Sequence, residues 1–127
     1  MLSYTKVFNS WSVDDLGKAK TFYGNTLGLP VKESPEGLSI TLPEGQNLFM
    51  YPKPNHQPAT YTVLAFQVKD IEATVDALTA AGVTFLQYEG DLKTDVKGVA
   101  RNLPGGGPLA AWFADPAGNI LGVMQNK

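Results

Sequence analysis

Two stretches, FNSWSVDDLGKAKTFYGNTLGLPV (Phe8–Val31) and VLAFQVKDIEATVDALTAAGVTF (Val63–Phe85), follow one pattern. Val13 answers to Val68, Asp15 to Asp70, Leu16 to Ile71 and Tyr23 to Leu78, an offset of 55 residues. Each opens with alternating apolar and polar residues, the period of a half-buried strand, and reaches an Asp whose carboxylate can cap a helix. Leu16, Ala19, Tyr23 and Leu27 then recur at helical spacing, as do Ile71, Val75 and Leu78. Gly28 and Gly82 stand where a helix exit wants a left-handed residue.

Outward from these units, the spacing predicts strands at Val31–Ser34, Leu38–Leu42 and Asn47–Tyr51, separated by Ser-Pro-Glu-Gly and Pro-Glu-Gly turns. The second half repeats the plan with Val83–Glu89, Ala110–Ala114 and Ile120–Gln125, the last two joined by Asp115-Pro116-Ala117-Gly118-Asn119. The chain is therefore read as α+β, with two tandem β-α-β-β-β modules (about 1–51 and 61–127) joined by a Pro-rich linker at 52–60. At 127 residues it is expected to form one domain. The 19 residues Gly90–Pro108 are long for a connection and read as a cover over a site or a partly ordered excursion.

Composition narrows the chemistry. There is no cysteine, so no disulfide, thiolate metal site or cysteine nucleophile exists, and the single histidine rules out a multi-imidazole site within one chain. Ten Lys+Arg against 12 Asp+Glu, with no two basic residues adjacent, lacks the footprint of nucleic-acid binding. The longest apolar run, Leu109–Ala114, is far too short for a membrane span, and the N-terminus lacks a signal-peptide pattern. The expectation is a cytoplasmic protein without nucleic-acid or membrane partners.

The frame Val13-x-Asp15-Leu16, Phe22-Tyr23 and Leu27-Gly28-Leu29, followed by W-F-x-D-P-x-G-N at Trp112–Asn119, resembles the vicinal-oxygen-chelate superfamily of glyoxalases, extradiol dioxygenases, fosfomycin-modifying enzymes and bleomycin-resistance proteins. The resemblance spans nearly the whole chain. It implies a glyoxalase/bleomycin-resistance-like fold, a partly open mixed β-barrel with the ligand inside, and a homodimer; the modules either pair within one chain or swap between chains, and in the second case strands of two chains complete each cavity. The family's enzymes hold a divalent metal on the first and last strands of each half. Carried over by position, the two histidine sites are Phe8 and Val63 here, and the glutamate site is Gly122. The remaining ligand belongs on Asn47–Tyr51, and no Asp or Glu occurs between Glu44 and Asp70. The expectation is no metal and no other cofactor, which disfavours metal-dependent glyoxalase or dioxygenase activity.

Alternation sends Trp11, Val13, Leu64, Phe66 and Val68 toward the helices, and turns Phe8, Ser10, Ser12, Val63, Gln67, Trp112 and Met124 toward a cavity. Tyr61 and Lys6 fall at its rim. These seven inward residues are the expected contacts of a small, partly aromatic or amphipathic ligand. No residue is assigned a catalytic role. Glu89 and His56 are the candidates a metal-independent lyase or isomerase would use, although His56 sits in a polar, Pro-flanked connector where a solvated histidine is the ordinary finding. A third reading is a structural or regulatory module whose pocket is filled by its own side chains.

Overall fold

The computed structural model describes all 127 residues and divides them into two compact units, Met1–Gln57 and Pro58–Lys127. No helix is long and apolar enough to cross a membrane. In unit 1, β1 (Asn9–Val13), helix α1 (Leu16–Lys20), β2 (Val31–Ser34), β3 (Gly37–Thr41) and β4 (Asn47–Pro52) form a sheet of order β1-β4-β3-β2. In unit 2, β5 (Thr62–Gln67), α2 (Ile71–Ala80), β6 (Val99–Ala100), β7 (Leu109–Ala114) and β8 (Ile120–Gln125) repeat it as β5-β8-β7-β6. In each sheet the first strand runs parallel to the last and the remaining pairs are antiparallel.

The two aspartates act alike. Asp15 and Asp70 are extended, and each accepts from the backbone N–H three residues on, Lys18 and Ala73, at 3.0 Å. The α2 exit follows from Gly82 at φ +98°: Gly82 N–H donates to Thr79 O and Val83 N–H to Leu78 O, closing a Schellman motif. Unit 1 spends one more residue before its exit glycine, since Gly28 and Gly82 lie 54 apart where the caps lie 55 apart. That residue is absorbed by a π turn at Thr21–Thr26, in which Leu27 N–H reaches back to Phe22 O and Leu29 N–H to Tyr23 O. The plain α-helix expected there is corrected accordingly. Gly24, Asn25 and the two threonines are weak α-formers, so widening the ladder costs little.

Helical faces and strand parity agree. Trp11, Val13, Leu38, Ile40, Leu48 and Met50 are buried with Ala19 and Tyr23 of the helical segment; Val75, Phe113, Leu121 and Val123 do the same in unit 2. Full burial of a side chain of this size contributes about 1.5–3 kcal/mol.

Two expectations about unit 2 are revised. Val83–Glu89 is not a strand: it makes one bridge, Phe85 to Phe113, and one further bond from Leu86 N–H to Trp112 O at 2.8 Å. The ladder on that edge of β7 resumes with Val99 opposite Ala111 and Ala100 opposite Ala110. One edge strand is thus interrupted between Leu86 and Val99, and the segment treated as a long loop contains its second half. Alternation also fails at Val63, the extra residue of a bulge: Thr62 stands opposite Ile120 and Leu64 opposite Leu121.

The excursion at 87–98 is internally bonded. Buried Thr94 accepts from Tyr88 N–H at 3.0 Å and donates to Gln87 Oε1 at 2.7 Å. Asp95 accepts from the N–H groups of Lys97 and Val99, each at 2.9 Å, and from Arg101. Arg101 also pairs with Glu72 of α2, while Lys97 bridges Glu72 and Asp76. Burial pushes the Asp95 carboxyl up, but the Val99, Arg101 and Lys97 hydrogen bonds outweigh it and hold it below the ordinary 3.8. Arg101 and then Lys97 hold Glu72 below 4.5. A carboxylate with a depressed folded value stabilises above its unfolded value and loses that contribution as pH falls through the folded one. Acidification below the carboxylate range should therefore release the Lys97 and Val99 amides before the β7–β8 ladder. Hydrogen exchange, corrected for intrinsic rates, reads this; simultaneous loss of protection would contradict it.

The Asp-Pro-x-Gly-Asn turn ties the start of unit 2 to the β7–β8 hairpin. Buried Asp115 accepts from Asn119 N–H at 2.8 Å, and Asn119 Oδ1 accepts from Ala59 N–H at 3.1 Å. Gly118 has φ +84°, and a Cβ there would lie 2.9 Å from Pro58 Cγ; Gly45, at φ +86°, has nothing within 4 Å. Gly45→Ala should cost about 1 kcal/mol for backbone conformation alone. Gly118→Ala should cost about 1–2 kcal/mol more, through the clash. Equal losses on urea denaturation would remove the steric account.

Candidate functional site

In unit 1 the helix packs on one face of the sheet, and the opposite face carries aromatic and hydroxyl side chains. Ser10 stands opposite Phe49 and Ser12 opposite Tyr51 across the parallel β1–β4 pair, with Ser39 opposite Phe49 on β3. Phe8 continues the face just before β1, its ring edge-on to Phe49 with centroids 6.2 Å apart. Phe49 in turn stacks on Tyr51, centroids 6.4 Å apart and planes 19° from parallel. Phe8 and Tyr51 are exposed, at 54% and 36%. The result is a row of three rings bordered by hydroxyls. At its Phe8 end, Lys6, Ser39, Thr41 and Asn47 line a hollow of about 110 Å³.

At the Tyr51 end, Ser12 Oγ and His56 Nδ1 share a hydrogen bond of 2.6 Å. The connector is fixed to unit 1 by Lys53 N–H donating to Val13 O, and it turns back through His56 N–H donating to Lys53 O, both at 3.0 Å. His56 is half-buried, not the solvated residue its Pro-flanked context suggests. The other candidate acid–base group, Glu89, is exposed on the extended residue preceding a short 3-10 turn and makes no capping bond.

Unit 2 treats its corresponding face differently. Trp112 is 8% exposed and forms a cluster with Ala100 and Ala110, against which Leu86, Tyr88, Leu103, Ile120 and Met124 pack. Tyr88 meets the indole edge-on, centroids 5.4 Å apart. Both halves of the interrupted edge strand and Leu103 thus supply the cover. Gln67, opposite Met124, is exposed, and Val63 is half-buried at its bulge.

Of the seven expected contacts, Phe8, Ser10 and Ser12 share the open face of unit 1, while Trp112 and Met124 are joined in the packed cluster of unit 2. Phe49 and Tyr51 were missed. The alternation of Asn47, Phe49 and Tyr51 with buried Leu48 and Met50 carries the signal, but only the β1–β4 register shows that these rings lie beside Ser10 and Ser12.

The residues do not fit the divalent metal that the family resemblance implies. No group of three or more His, Cys, Asp or Glu side chains is arranged to hold an ion. At the glutamate position, Gly122 is the register partner of Trp112, and a Cβ there would lie 3.2 Å from Trp112 Cδ1. A side chain at 122 would therefore crowd the indole, and Gly122 itself offers no donor atom.

The family model described as Glyoxalase/Bleomycin resistance protein/Dioxygenase superfamily matches residues 10–123. Among solved structures, a glyoxalase family protein from Bacillus anthracis is similar at 22% identity and TM-score 0.69, with all of both chains covered. TnmS3, an antibiotic binding protein from Streptomyces, is similar at 24% identity and TM-score 0.66, covering 99% of this chain and 100% of that one. The fosfomycin resistance protein FosX from Listeria monocytogenes is similar at 18% identity and TM-score 0.67, covering 100% and 96%. No curated protein matches the chain. The duplicated β-α-β-β-β units, their capped helices and the matched span together place this chain in the glyoxalase/bleomycin resistance protein/dioxygenase superfamily.

Proposed function

We propose that this protein binds a small, partly aromatic or amphipathic molecule and does so without a metal. The observation that carries the reading is the Phe8, Phe49 and Tyr51 row, with Phe8 and Tyr51 exposed and Phe49 half-buried between them, beside Ser10, Ser12 and Ser39. Aromatic side chains left open at one face are the surface on which a planar ligand gains stacking and apolar burial. The hydroxyls beside them supply orientation. A homodimer belongs to the same proposal: β2 is paired only to β3, and its outer edge is of the kind a second chain covers.

Thermal-shift screening against aromatic compounds, including antibiotics because one structural neighbour is an antibiotic binding protein, should yield a saturable stabiliser. At about 100-fold excess over Kd the expected gain is ~2.7 kcal/mol. Phe49→Ala should weaken that compound by about tenfold. No stabiliser, or one indifferent to Phe49, would count against the site.

The metal-free part has its own test. Gly122→Glu should lower stability by about 1–3 kcal/mol by overpacking against Trp112. Adding Trp112→Ala should then cost less than the sum of the two single changes, because the variants share one space. Stoichiometric divalent metal bound by Gly122→Glu, without loss of stability, would reverse the reading.

The Ser12–His56 hydrogen bond favours a second reading, a metal-independent lyase or isomerase in which the imidazole moves a proton. Turnover of a ketoaldehyde–thiol adduct, abolished by His56→Ala and retained by Glu89→Gln, would establish that reading over binding alone.

A further inference from the structure

The charged side chains that the strand register and the hollow place on the open face of unit 1, Lys32 and Lys6, are both cationic. Lys6 lines the hollow beside Phe8 and Phe49. Lys32 on β2 stands opposite Ser39, itself opposite Phe49, so its side chain leaves the sheet on the same face. None of the unit's carboxylates occupies an open-face position of a strand. Asp14 and Asp15 lie in the turn into α1, with Asp15 capping it, while Glu36 and Glu44 lie in the β2–β3 and β3–β4 turns. Glu33 stands opposite buried Leu38 on the helix side, where it pairs with Lys20 at 2.9 Å. Within unit 1, both charged side chains placed on that face are thus cationic, in a chain whose net charge is −2.

Building on the aromatic-ligand reading, we infer that the molecule bound here is a planar aromatic anion, an arene bearing a carboxylate or sulfonate. Its ring stacks on Phe49 and Tyr51, and its charged head lies at the Lys6 end. The hollow there, about 110 Å³, is smaller than the roughly 300–1,000 Å³ of a whole-ligand pocket, and it suits a head group with the ring system outside. Lys6 and Lys32 supply attraction that a neutral arene does not feel, and Ser39, Thr41 and Asn47 supply polar contacts to anionic oxygens.

Calorimetric titration of the full chain with 2-naphthoate, 2-naphthalenemethanol and 2-naphthylmethylammonium tests this. Naphthoate should bind about tenfold tighter than the alcohol, and the ammonium most weakly. In the Lys6→Gln, Lys32→Gln double variant the ratio of acid to alcohol affinity should fall to about one, and raising salt from about 0.05 to about 0.5 M should shrink it in the parent. Equal binding of acid and alcohol, or an advantage that survives the double variant, overturns the inference while leaving the aromatic-ligand reading standing. Failure of all three probes to bind overturns both.

Discussion

A four-stranded sheet with one helix on it has a second face that something must satisfy, and most of what distinguishes the two units follows from how each answers that requirement. In both, the helix takes the alternate residues of the central strands, such as Leu48 and Met50 of β4 or Leu121 and Val123 of β8. Unit 2 then covers its other face with its own chain. Interrupting the edge strand between Leu86 and Val99 lets Leu86, Tyr88 and Leu103 pack over Trp112, and the Asp95, Arg101 and Glu72 network holds the excursion against α2. Unit 1 has an unbroken β2 and no excursion. Its face keeps three rings, several hydroxyls and two lysines that the unit's own chain does not cover as unit 2 covers Trp112, and the proposed ligand is what would bury them.

The parts of this arrangement legible in the sequence are those set by local chemistry. Aspartate caps, left-handed glycines, alternating strands and the Asp-Pro-x-Gly-Asn turn each act over a few residues, and all lie where their residue types demand. The π turn was legible in principle, because the exit glycines are one residue out of step with the caps. The divided edge strand was not. Val83–Glu89 has ordinary strand composition, but whether it pairs depends on which segment wins the edge of β7, a contest decided by Thr94 and Asp95 bonding inside the excursion. Val63 fails for a related reason: parity arguments assume continuous pleating, and a bulge against β8 resets it.

The site divides the same way. Phe8, Ser10 and Ser12 could be placed because β1 alternates cleanly. Phe49 and Tyr51 alternate just as cleanly, yet their relevance rests on β4 lying parallel beside β1, a long-range pairing that no local pattern encodes. His56 shows the opposite error. Proline and polar neighbours describe a solvated connector, but two backbone bonds fold that connector back and bring the imidazole to a hydroxyl 44 positions away in sequence. Composition describes what a segment would do alone; the sheet it returns to decides what it does.

Gly122 and Trp112 tie the metal-free reading to packing. A side chain built at position 122 would crowd the indole at 112, its Cβ lying 3.2 Å from Trp112 Cδ1. The indole packs with Tyr88 and Met124, so the space beside Gly122 belongs to hydrophobic core. Removing the indole to make room at 122 would leave Tyr88, Leu86 and Leu103 without the ring they pack on, each then losing apolar burial. The packing of unit 2 thus supports the proposed metal-free reading, and the aromatic face of unit 1, which has no such plug, is the surface the proposed ligand would use.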